Sequence, residues 1–189
     1  MDELYYREGK YTSHSLENKK GRDMSELHLS EEIRSLLRAY YTCELTTVNS
    51  KGQPISWPCL PYFHEETGEI VFSASIAFPV KALNIRRHPQ VSLLFSDASG
   101  SNLHTPDGLL IEGDASVEEL TNYQDPKVIG LFHMNQQRQP DSSRFTTNRI
   151  VRRIFSWYLF QRLIISVVPK RVYVWPTGDF QIMPTAIGG

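Results

Sequence analysis

The chain has 189 residues, 40% hydrophobic and 22% charged, with a formal net charge of −1. That length is typical of one domain and is enough to bury a core without disulfides. The near-neutral balance speaks against general nucleic-acid binding, which draws on a strong positive excess, and the longest apolar runs are too short for a membrane span.

Residues 1–27 are polar, charged and aperiodic. They read as an N-terminal extension to a single domain over residues 28–189. The opening MDELYYREGK has no apolar leader core, so the expected compartment is cytoplasmic. Ser30 followed by Glu31 and Glu32 predicts a helix start, with a capping hydroxyl and two acids at the positive helix end. Ile33, Leu36 and Leu37 then share one helical face.

From Thr42 the hydrophobic period shifts towards two. Residues 43–49 predict a strand. NSKGQ, residues 49–53, predicts a hairpin turn in which Gly52 takes a positive φ. Residues 55–63 predict a second strand, which Pro58 and Pro61 make an edge strand or an interrupted one. After a turn at HEETGE, residues 69–75 predict the third. Pro79 suits the first turn of a helix that runs to about Arg87 and stops before Pro89. Residues 90–96 and 109–117 predict strands four and five, with a polar loop over 99–108 between them.

The last third holds a helical insertion at about residues 125–160. It comprises a helix over 126–137, a linker over 139–143 and a second helix over 148–160, NRIVRRIFSWYLF. Two final strands, 163–168 and 171–175, are expected to hinge at Pro169 and Lys170. Many short strands with few helices argue for a mainly β fold, a small barrel.

Lys81 falls in the first turn of the 79–87 helix, where a cation is mildly unfavourable. A bound anion would reverse that sign, because helix N-termini are ready phosphate sites. The alternative is a solvated surface lysine. Ser73 and Ser75 project on one face of strand three, either as hydroxyl donors to a ligand or as the polar face of an edge strand. Trp57 offers an aromatic wall for a flat ligand or a core residue. Cys43 and Cys59 lack metal-like or redox-like spacing and read as two small buried thiols on neighbouring strands.

From 142 to 178 the chain has no acid but carries Arg144, Arg149, Arg152, Arg153, Arg162, Lys170 and Arg171. That stretch reads as an anion-attracting surface, a basic helix on a membrane surface, or a solvated face balanced by acids elsewhere. The histidines lack zinc-ligand spacings, so no metal is expected. There is no nucleophile elbow, phosphate loop or dinucleotide fingerprint.

Residues 45–120 resemble the flavin-binding split-barrel family, the superfamily of the pyridoxamine 5′-phosphate oxidases. The match is carried by KALNIRRHPQVSLLF, Lys81 to Phe95, and by the strand pair with its GQP turn at Gly52 to Pro54. The resemblance implies a six- or seven-stranded antiparallel split barrel with peripheral helices. It also implies a homodimer with flavin mononucleotide in clefts between subunits, and oxidoreduction of a small molecule. By the same resemblance, Lys81 holds the flavin phosphate and Ser73 and Ser75 meet ribityl or phosphate oxygens. Trp57, Pro58, Cys59 and Leu60 lie along the ring. Alternatives on the same fold are a deazaflavin-dependent reductase and a non-catalytic cofactor binder. The chain departs from the oxidases at three places. Trp57 and Tyr62 stand where second-strand basic residues are expected, Val80–Lys81 replaces an Arg-Lys pair, and no arginine-and-tryptophan substrate signature appears near Trp175. Oxidation of vitamin B6 is therefore not expected, and no catalytic residue is assigned.

Overall fold

The computed structural model describes residues 27, 29–101, 103–139 and 162–187. All of the 1–27 extension but Leu27, the linker beyond Gln139 and the 148–160 helix lie outside the described residues, as do Arg144, Arg149, Arg152 and Arg153. The described elements are α1 (Glu31–Ala39), β1 (Cys43–Val48), β2 (Pro54–Cys59), β3 (Tyr62–His64), β4 (Glu69–Ser75), α2 (Val80–Arg87), β5 (Gln90–Phe95), β6 (Gly108–Glu119), α3 (Pro126–Arg138), β7 (Arg162–Trp175) and β8 (Thr185–Ile187).

All strand pairs are antiparallel, in the order β2-β1-β5-β6-β7-β4-β3, and β8 pairs β7. The two ends of this path, β2 and β3, are consecutive in the chain, with only Leu60 and Pro61 between them. The wall therefore returns on itself through a break in one strand, which is the split barrel expected from the sequence. Leu45, Phe72, Leu93, Phe95, Leu109, Ile111, Ile165 and Val172 fill its interior. Each sits at every second position of its strand, as a pleat with one face on the core requires.

The proline-bearing strand is both an edge and interrupted. The Asn49 N–H donates to the Gln53 carbonyl at 2.9 Å, so that pair is hydrogen-bonded. Alternation then puts Pro54 and Pro58, opposite Val48 and Glu44, at non-hydrogen-bonded positions. Their nitrogens face away from β1, where no donor is needed. Pro61 falls in the break itself.

One sequence expectation is corrected. The final pair of strands is one strand, β7, because the expected hinge is a β-bulge: Glu112 opposes Arg171 and Gly113 opposes Pro169, which leaves Lys170 as the extra residue. Pro169 is tolerated because it lies between the β4 ladder, which ends at Val167, and the β8 ladder, which starts at Val172. The short β8 was not foreseen.

The helices lie on different faces. α1 is capped by the Ser30 side chain, which accepts from the Ile33 N–H, and it buries Ile33 and Leu37. α3 is capped by Asp125 and packs Val128 and Leu131 on the outer face of β4 and β7, against Val71 and Ile164. Lys127 pins it there by donating to Glu69 at 3.2 Å and Ser166 at 3.0 Å. α2 turns Ala82, Asn84 and Ile85 inward, and Asn84 Nδ2 donates to the buried Thr47 Oγ1 at 3.1 Å. Among the described residues, no helix is long and apolar enough to cross a membrane.

Candidate functional site

The break between β2 and β3 opens the barrel wall. The β3–β4 ladder runs from His64↔Glu69 to Tyr62↔Val71 and stops. Residues 72–75 of β4 keep their β7 partners but have no β3 partner. On the opposite side, β2 pairs only β1 among the described strands and ends at Cys59. The gap therefore lies between the end of β2 and the second half of β4, and the expected ligand-binding segments, 57–60 and 73–75, flank it.

Lys81 stands at this gap. Its Nζ is 3.5 Å from Cys59 Sγ, a contact only partly open to solvent. Among the described residues no carboxylate pairs with Lys81. The helix that carries it is unlike the other two. α2 begins at Pro79 with no side-chain cap and no acid in its first turn. Its leading N–H groups and one ammonium thus concentrate positive character without a fixed counter-charge.

Trp57 and Cys59 share one face of β2, opposite the buried Leu45 and Cys43 of β1. The Trp57 indole N–H is buried and has no hydrogen-bond partner among the described residues. Such donors are rare in folded chains, and an acceptor on a bound molecule would satisfy this one. Pro58 lies on the exposed face between them, and Leu60 is half-buried in the break.

Ser73 and Ser75 do share a face, but it is the outer one, since Phe72 and Ala74, the alternate residues, belong to the core. No hydrogen bond joins either serine to Lys81. Ser75 instead shapes the turn into α2: its Oγ accepts from the Ala77 N–H at 3.2 Å and its carbonyl from the Phe78 N–H at 3.1 Å. The structure thus brings Trp57, Cys59 and Lys81 together on one side of the gap and leaves the serines on its other bank.

Sequence reasoning missed a further participant. Arg138, at the end of α3, donates to the carbonyls of Arg38 (2.8 Å), Pro61 (3.2 Å) and Tyr41 (3.4 Å). Its guanidinium lies 4.6 Å from the centre of the Tyr41 ring, and burial lowers its pKa. It ties α3 and the chain after α1 to the break at Pro61. A lone arginine ending a helix gives no sign of this in the sequence. Among the described residues there is no cluster of His, Cys, Asp and Glu able to hold a metal.

A sequence profile of the family described as pyridoxamine 5′-phosphate oxidase matches residues 29–158. No curated protein matches the chain by sequence. Among solved structures, a conserved hypothetical protein from Mycobacterium tuberculosis aligns with a TM-score of 0.52 at 21% identity, over 89% of this chain and 98% of that one. A heme binding protein from Mycobacterium smegmatis aligns with a TM-score of 0.55 at 12% identity, over 84% of this chain and 57% of that one. The heme storage protein HutZ from Vibrio cholerae aligns with a TM-score of 0.51 at 17% identity, over 78% of this chain and 96% of that one. At these identities the likeness is one of fold.

Proposed function

The chain belongs to the pyridoxamine 5′-phosphate oxidase family, and we propose that it binds flavin mononucleotide at the split of its barrel and serves as an oxidoreductase for a small molecule. The observation that carries this reading is the uncapped, acid-free first turn of α2, with an ammonium in it that no described carboxylate neutralises. A phosphate dianion fits that place by charge and by hydrogen-bond polarity. Lys81 and the leading N–H groups of α2 would hold it. The orphan Trp57 N–H would donate to an acceptor on the ring, and residues 57–60 would lie along it. Ser73 and Ser75 would meet ribityl or phosphate oxygens from the opposite bank. The isoalloxazine, when bound, supplies the hydride chemistry.

Lys81→Ala separates the phosphate from the rest of the ligand. Losing a charge-assisted contact costs roughly 1.5–3 kcal/mol, about ten- to a hundred-fold in affinity. Titration with flavin mononucleotide should show that loss, while riboflavin, which lacks the phosphate, should bind parent and variant alike. An equal loss for both would remove Lys81 from the phosphate site. The visible spectrum of the purified protein, with mass spectrometry of what denaturation releases, separates flavin from a deazaflavin. It also separates both from heme, for which two of the structural neighbours are named.

The cleft is proposed to be completed by a second copy of the chain. Ile76, Phe78, Val80 and Leu83 form an exposed apolar lip around the start of α2, with Phe78 68% exposed. A cluster of this kind marks a surface that is covered in the working assembly. Light scattering at low micromolar concentration should report twice the 21.7 kDa chain mass. A monomer that binds the flavin tightly would sink the shared-cleft arrangement.

A further inference from the structure

Cys43 and Cys59 stand directly opposite each other on β1 and β2, as free thiols on the same face of the sheet. Counting the alternation from the hydrogen-bonded Asn49–Gln53 pair puts them at a hydrogen-bonded position as well. Cα atoms at such a position lie about 5.5 Å apart, inside the window that a disulfide spans. The two thiols differ in access: Cys43 is buried, while Cys59 is partly open beside the break in the wall. The Lys81 ammonium reaches Cys59 directly, at 3.5 Å.

We propose that Cys59 is a modification site for low-molecular-weight disulfides of the glutathione class, and that Cys43 resolves the adduct into a reversible cross-strand disulfide. The Cys59 thiol gives its proton to solvent, and the thiolate attacks one sulfur of the small disulfide. A mixed disulfide forms and one small thiolate leaves. Cys43 then loses its proton and attacks Cys59 Sγ, expelling the second small thiolate. Each thiolate takes up a proton from solvent. The protein loses two protons and two electrons, and one small disulfide becomes two thiols. Burial pushes both thiols up in pKa, and the Lys81 ammonium pulls against it at both, through a direct contact at Cys59. The first step is therefore slow at neutral pH and accelerates as pH rises, because the thiolate is the nucleophile. The proposal does not require the flavin reading, although a flavin lying along residues 57–60 would cover Cys59 and slow the first step, so the protein is tested free of flavin.

The test is a timed incubation of the full chain with oxidised glutathione, followed by acid quench, denaturation, alkylation, proteolysis and mass spectrometry. The expected sequence is glutathione on Cys59 first, then a Cys43–Cys59 linked peptide that dithiothreitol abolishes. Cys43→Ser should stop at the Cys59 adduct, and Lys81→Met should slow its formation severalfold, because less of the Cys59 thiol is ionised without the ammonium beside it. Should Cys43→Ser fail to fold, the order of adduct and cross-link in the parent protein carries the same information. Three outcomes would overturn the proposal: both thiols still fully alkylatable after oxidant, glutathione appearing on Cys43 first, or a link between chains in place of one within a chain.

Discussion

Gly113→Ala is expected to destabilise the protein by about 3 kcal/mol or more, at the upper end of what an overpacked interior costs. Gly113 lies on the inner face of β6 at the bulge, opposite Pro169. A Cβ there would sit 2.3 Å from the Val168 carbonyl oxygen and 3.1 Å from a methyl of Val167. The first obstacle is backbone, so no rotamer change relieves it. β7 is held by β6 on one side and by β4 and β8 on the other. Moving it aside disturbs more than one ladder. Gly130→Ala makes the comparison. Its new Cβ would meet the Tyr62 hydroxyl at 2.0 Å, but that is the end of a side chain on the surface of α3, and alanine also favours the helix. Denaturant unfolding of both variants should give the larger midpoint shift for Gly113→Ala. A smaller shift there than at Gly130 would mean that the bulge is free to slide.

Phe95→Ala is expected to cost about 4 kcal/mol, within the range for emptying a fully enclosed aromatic site. Phe95 ends β5 inside the barrel, fully buried, and meets Tyr40 edge-on with centroids 5.6 Å apart at 61°. Tyr40 caps the end of α1, and its hydroxyl donates to the Asp107 carbonyl at 2.8 Å. Removing the ring therefore opens a void and loosens the anchor between α1 and the loop before β6. Phe95→Leu keeps most of the apolar volume and should lose far less. If the two variants unfold at the same denaturant concentration, the void has closed and the Tyr40 anchor contributes little.

The stretch from β1 to β6 was legible in the sequence because local signals agree there. A positive-φ glycine at 52, a proline before α2, another after it, and period-two runs between them leave few alternatives. The second strand was legible in kind: two prolines marked it as an edge or an interruption, and it is both. The hinge at Pro169 was misread because a proline in an apolar run looks like an ending. What rescues it is a gap between two partner ladders, which only the assembled sheet defines. β8 is three residues long and carries too little pattern to register. The neighbours of the site were the least visible part. That Lys81 reaches Cys59, or that Arg138 reaches Pro61, depends on where whole helices lie. The opposition of Cys43 and Cys59 was within reach, since both are equidistant from Lys51 at the hairpin centre.

The placement of the β2 prolines has one more consequence. A strand at the rim of a sheet exposes a row of donors and acceptors that a strand from another molecule could extend, and this is how native sheets seed aggregates. The outward positions of β2 are Pro54, Ser56 and Pro58, and only the serine has an N–H to offer. An incoming strand would find carbonyls to donate to but almost nothing to accept from, so its ladder could not propagate. The barrel can keep its wall open beside β2 without that rim becoming a template for uncontrolled assembly.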